Sequence, residues 1–198
     1  MDTQMWIIIV ILLIAIIIGL AAYIYFQKTR TQKLQRRFGP EYDRTVSRHG
    51  SQSEAEAELR AREERVKKLH IVPLSPTDAA RFSAAWRDVQ NRFVDDPRTA
   101  VEEADRQVRE LMAKRGYPMG DFEQRAADIS VDHAPVVDHY RNAHDIALRS
   151  QRGAADTEEL RKAIVHYRSL FDELLETQEA ERTLREPEHR KGGLRYGV

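Results

Sequence analysis

Residues 5 to 26, "MWIIIVILLIAIIIGLAAYIYF", carry no charge, whereas the remainder is strongly charged, with its few aromatics scattered at helical intervals. Twenty-two residues rising about 1.5 Å each give roughly 33 Å of helix, enough for a hydrocarbon core of about 30 Å. Lipid offers no partner to a backbone amide or carbonyl, so such a segment has to be a helix. Trp6 at one end and Tyr23, Tyr25 and Phe26 at the other fit the aromatic belts of a bilayer interface. The rival reading is a cleaved signal peptide, which wants a basic start and a small-residue cleavage site. "MDTQ" has Asp2 and no Lys or Arg, which favours an uncleaved anchor, while Gly19, Ala21 and Ala22 keep cleavage open.

Beyond the anchor the helix is expected to continue through "QKTRTQKLQRRF" and stop at Gly39-Pro40. "FGPEYDRT" reads as that stop rather than as a ligand loop, and "VSRHGSQS" (46–53) as a polar linker. Residues 53–70, "SEAEAELRAREERVKKLH", form a charged helix. Ala55, Leu59, Arg62, Val66 and Leu69 follow a 4-3-4-3 spacing that suggests a short coiled coil, and with it a homodimer. The pattern spans barely two heptads and puts Arg62 in the seam, so a solvated stalk or a helix laid against the following domain fits equally well.

From 73 to 180 the pattern is that of an antiparallel helical bundle. Ser75 caps a helix with Pro76 at its first position and a stripe of Ala79, Phe82, Trp86, Val89 and Phe93. "DDP" (95–97) separates it from a helix with Val101, Ala104, Val108, Leu111 and Met112 on one face, ended by Gly116 and Pro118. Asp121 caps a short helix, with Gln124 at the capping-box position, and Asp132 lies where the next cap is expected. That next helix runs from about Pro135 to Ser150. Asp156 and Glu159 box the last one, whose stripe is Leu160, Ile164, Tyr167, Phe171 and Leu174. No alternating run suits a strand. The whole is therefore all-α: a short N-terminus (1–4), a transmembrane helix (5–26), a basic and charged helical linker (27–72), the bundle (73–180) and a mobile tail (181–198) whose final Tyr196-Gly197-Val198 weakly suggests a peptide ligand.

Charge adds direction and removes partners. Lys28, Arg30, Lys33, Arg36 and Arg37 follow the apolar run with no acidic residue before Glu41, so the positive-inside rule turns this flank to the cytoplasm and the N-terminus outward. The same cations could hold anionic headgroups at about 1 kcal/mol each, or serve topology alone. With 32 basic and 32 acidic residues the net charge is zero, which argues against nucleic acid. The lack of cysteine removes disulfides, thiolate metal sites and cysteine nucleophiles. No phosphate loop, Gly-x-Ser-x-Gly elbow or His-Glu-x-x-His occurs, and no cofactor is implied.

What remains as candidate chemistry is "VDHAPVVDHYRNAHD" (131–145). Metal-binding helices place ligands at i and i+3 or i+4, and His133, His139 and His144 have no strong ligand at those offsets. A site assembled from different helices, with His166 as a fourth member, stays open. Asp138 with Asn142 and Arg141 with Asp145 read as surface pairs at i and i+4. "VVDHYRNAHDIAL" (136–148) also aligns without gaps to "AIVHYRSLFDELL" (163–175). The echo reflects either two helices presenting equivalent faces, with Tyr140 and Tyr167 buried, or two amphipathic helices meeting similar demands.

"RRFGPEYDRTV", "PLSP", "FVDDP", "RGYP", "DFEQRAADISVDH" and "ADTEELRKAIVHYRSLFDELL" together resemble a family of small bacterial proteins with one N-terminal transmembrane segment and a helical soluble domain. The resemblance implies a place in the bacterial inner membrane and carries over no activity and no site residue. The expected role is a membrane-anchored adaptor or scaffold that binds another protein. The alternative is a membrane-tethered enzyme, or a metal or small-ligand sensor, built on residues 131–145.

Overall fold

The computed structural model describes the backbone of residues 3–185, and the side-chain surroundings of Trp6 and of residues 12–175. The described residues are all-α, with no strand among them. Eight helices follow in order: α1 (Thr3–Phe38), α2 (Pro40–His49), α3 (Gln52–Val66), α4 (Pro76–Asp95), α5 (Pro97–Arg115), α6 (Phe122–Ile129), α7 (Ala134–Gln151) and α8 (Thr157–Arg185). The chain divides into two compact units, Met1–Ala61 and Arg62–Val198, the division falling within α3.

In the first unit, α1 carries the apolar run and its basic continuation as one helix. Between Leu12 and Phe38 it is long and apolar enough to cross a membrane, and none of its apolar window is buried within the protein. Leu12, Ile16, Ile17 and Phe26 each expose more than half of their surface. Gly39, at φ 50°, ends α1, and Pro40 opens α2. Residues 46–49, expected as linker, are instead the last turn of α2, and only Gly50 and Ser51 separate α2 from α3. The reason lies in what α2 buries: Glu41, Tyr42 and Thr45, none of them aliphatic. A reading keyed to apolar stripes cannot see such a helix.

α3 stops at Val66, short of residue 70. Its 4-3-4-3 positions Ala55, Leu59, Arg62 and Val66 are all buried inside the single chain. The stripe that suggested a coiled coil is therefore packed within the chain, and no coiled coil is seen among the described residues.

The second unit is the bundle. Cross-helix pairs fix its directions. Arg92 meets Glu103 and Lys114 meets Asp78, so α4 and α5 are antiparallel. His133 meets Glu173, His139 meets His166 and Arg149 meets Glu159, so α7 and α8 are antiparallel. Asp105 meets Tyr167 and Arg115 reaches the Leu174 carbonyl, so α5 and α8 run parallel. α8 thus packs against both α5 and α7. Its core takes in Trp86 stacked on Phe171 at 4.5 Å, with Leu111, Met112, Ile129, Leu170 and Leu174 fully buried.

The local signals behave as chemistry requires. Ser75, Asp96, Asp121 and Asp156 each accept a hydrogen bond from the backbone N–H three residues on. The box is reciprocal at Asp156, whose N–H donates to Glu159. At Asp121 it is not, because the Gln124 amide donates to Asp128 instead. Nor does Asp132 cap α7; the N-cap is His133, with no side-chain cap bond. Gly116 holds φ 98° and closes α5, and a Cβ there would run into the His70 carbonyl oxygen. α8 continues to Arg185, so residues 181–185, expected in the tail, are helical, and the remaining tail with Tyr196-Gly197-Val198 lies outside the described residues.

Candidate functional site

The histidine-rich segment becomes α7, and the four candidate histidines separate into three settings. His139 and His166 meet across α7 and α8, their Nδ1 atoms 2.8 Å apart and both rings half-buried. A hydrogen bond between two Nδ1 atoms needs one of them protonated and the other bare, so the pair is held together while at least one ring is neutral. Burial, and then the charge of His139, push the His166 pKa below its ordinary value. His133 is buried and its Nδ1 lies 3.1 Å from Glu173. His144 stacks on Phe122 with ring centroids 3.7 Å apart, and its Nδ1 is buried without a hydrogen-bond partner. Its pKa is lowered, first by burial; Asp105 and Glu123 oppose this, Arg125 and Arg109 reinforce it. Among the described residues no three His, Cys, Asp or Glu side chains gather as metal ligands. The helices join two of the four candidates and leave the other two apart.

The two echoed segments do face each other. The offset between equivalents is 27 positions, and in an antiparallel pair equivalent residues can meet only where the local two-fold axis passes. That point is His139 and His166. One residue on, Tyr140 and Tyr167 lie edge-to-face at 6.4 Å, both fully buried.

Around the tyrosines runs a polar network joining four helices. The Tyr167 hydroxyl donates to Asp105 at 2.9 Å, and Asp105 also pairs with Arg109 at 3.0 Å. The Tyr140 hydroxyl accepts from Arg125 at 3.2 Å. Burial pushes both tyrosine pKa values up; Asp105 adds to the rise at Tyr167, while Arg125 opposes it at Tyr140. Neither phenol ionises under ordinary conditions, so both act as fixed hydrogen-bonding groups. Arg141, buried, reaches both carboxylate oxygens of Glu123 through Nη1, at 2.9 and 3.0 Å. The expected Arg141–Asp145 pair is replaced by this contact, and Asp145 pairs with Arg149 at 3.2 Å. Asp105, Arg125 and Glu123 carry no sequence signal, because spacing along one helix says nothing of a residue on another.

On α1, Lys28, Arg30, Lys33, Arg36 and Arg37 are all exposed, directly after the apolar run. A further residue escaped sequence reading altogether. Glu56, one of several glutamates in "SEAEAELR", is buried and its Oε1 accepts from Thr31 (2.7 Å), Gln52 (3.0 Å) and Tyr42 (3.1 Å). Burial raises its pKa, but the bonds from Gln52, Thr31 and Tyr42 and the charge of Arg60 outweigh that and hold it below the ordinary value. It is a fixed anion.

No family model matches the chain, and neither a curated protein nor a solved structure does.

Proposed function

We propose that the chain is a single-pass membrane protein of the bacterial inner membrane, with its N-terminus outside and its bundle in the cytoplasm, where it works as an adaptor or scaffold for another protein. The observation that carries this reading is α1. From Leu12 to Phe26 its apolar side chains are exposed on every side, which in water would be a large unfavourable surface and in lipid is none. The basic flank supports the orientation. The bacterial setting rests on the resemblance of "DFEQRAADISVDH" and its companion motifs. In the bundle, Asp105, Glu123, Arg141 and Tyr167 are engaged in cross-helix bonds that hold helices together. What faces outward is a mixed-charge surface of the kind that another protein can read.

Two measurements test this. Paired C-terminal fusions, one reporter active only in the cytoplasm and one only after export, give cytoplasmic activity alone; the converse overturns the orientation. Capture of the tagged chain in mild detergent returns one reproducible protein partner, and its absence counts against the adaptor role. A second reading, a metal or small-ligand sensor, is favoured by one observation, the Nδ1 atoms of His139 and His166 converging at 2.8 Å. It requires that zinc or nickel ions shift the melting temperature of the wild-type chain and leave a His139→Ala, His166→Ala variant unmoved.

A further inference from the structure

Between α1 and α3 of the first unit lies an open groove of about 940 Å³, within the roughly 300–1,000 Å³ range of small-ligand sites. One end is apolar, formed by Tyr23, Ile24 and Phe26 at the close of the apolar run. The other is polar, with Lys28, Arg30 and Arg60 as its cations and Glu56 as its carboxylate. We propose that this groove holds the headgroup of one membrane phospholipid bearing both a phosphodiester and a primary ammonium, Glu56 receiving the ammonium and Lys28, Arg30 and Arg60 the phosphate.

The placement of Glu56 is what points to an ammonium. Its Oε1 is saturated by Thr31, Gln52 and Tyr42, which lock the carboxylate in one orientation. Its Oε2 has Arg60 at 3.6 Å, beyond good hydrogen-bond distance, on a side chain that is half exposed. A primary ammonium in the groove can donate directly to Oε2 and release Arg60 toward a phosphate. A purely anionic headgroup would instead meet a fixed negative charge beside the cations. A quaternary ammonium has no N–H to donate. The commitment to a lipid, and not to a soluble zwitterion, comes from the apolar end, where Tyr23 and Phe26 are exposed at the level an acyl chain would occupy.

The inference rests on the membrane-anchored reading. Two stages of one experiment keep their failures apart. Membranes carrying the full chain are first washed at alkaline pH; release of the chain overturns both the anchor and the lipid site. The retained chain is then purified in mild detergent and offered equimolar phosphatidylethanolamine, phosphatidylcholine and phosphatidylglycerol of identical acyl chains, and adducts are read by native mass spectrometry. The ethanolamine lipid is favoured about tenfold over the choline lipid, the factor that one charge-assisted hydrogen bond gives. Stepwise N-methylation of the headgroup lowers the adduct in a graded way, which needs no variant. Glu56→Gln keeps an acceptor for Thr31 and Tyr42 and brings the ethanolamine adduct down to the choline level. Equal adducts, a preference for the glycerol lipid, a preference that survives Glu56→Gln, or displacement by soluble glycerophosphoethanolamine at equal concentration overturns the proposal while leaving the anchor intact.

Discussion

Whether Arg141 serves its own helix or its neighbour can be decided by a pair of double-mutant cycles. Its side chain is 5% exposed and its Nη1 touches both oxygens of Glu123, whose side chain is 54% exposed. One end of the pair is thus buried and the other wetted. That places the coupling above the roughly 0.2–1 kcal/mol of surface pairs and well below the roughly 3–5 kcal/mol cost of breaking a buried one. We expect about 1–1.5 kcal/mol between Arg141→Ala and Glu123→Ala. Between Arg141→Ala and Asp145→Ala the coupling should be near zero, because Asp145 is spent on Arg149 and its side chain is 71% exposed. The assay is urea unfolding of the full chain in mild micelles, read by tryptophan fluorescence. The chain has two tryptophans, and a Trp6→Phe background leaves Trp86, buried against Phe171, as reporter of the bundle alone. A coupling to Asp145 equal to or larger than that to Glu123 would refute the cross-helix assignment.

Acidification should weaken the bundle in a defined window. His144 and His166 both titrate below their ordinary value of 6.5 when folded, so the unfolded chain binds more protons just below that value and stability falls as pH drops through it. It levels off beneath the folded values, and a His144→Phe, His166→Gln variant should show a flatter pH 5–7 profile by thermal melting; an unchanged slope would assign the effect elsewhere. Gly116→Ala combines a left-handed backbone with a collision at the His70 carbonyl, and should cost at least about 2 kcal/mol in the same urea titration. Phe171→Ala, which empties the stack on Trp86, should cost about 3–5 kcal/mol and shift the Trp86 emission to the red in the folded state.

The helices were readable wherever their cause is local. Stripes such as Phe82, Trp86 and Val89 bury at one face because helix geometry repeats every few residues, and the caps at Ser75, Asp121 and Asp156 depend only on the next three residues. α2 was invisible because its buried face is Glu41, Tyr42 and Thr45, which no hydropathy pattern marks. The site residues were half legible for a related reason. Composition singled out His139 and His166, but only tertiary packing could decide that these two meet while His133 turns to Glu173 and His144 to Phe122. Glu56 and Asp105 were not legible at all, since a charged residue on an exposed-looking helix declares nothing about the groups folded against it.

The repeated His-Tyr-Arg shows why packing explains part of α7 and leaves part of it unexplained. Two amphipathic helices meeting similar demands suffice to account for Tyr140 and Tyr167, which fill the core and differ in their partners: one hydroxyl faces Arg125, the other Asp105. Packing alone does not account for His139 and His166. At a half-buried contact between two helices, a pair of leucines would fill the space with no polar atom to satisfy and no charge to avoid. An imidazole pair there is held by a single hydrogen bond that survives only while one ring is neutral. Arg141 and Arg168 complete the contrast, the first buried on Glu123 and the second exposed beside Asp172. Of the three repeated residues, the tyrosines meet their equivalents only ring edge to ring face, whereas the histidines are hydrogen-bonded to theirs, which makes them the positions in the bundle where stability and chemistry make different demands.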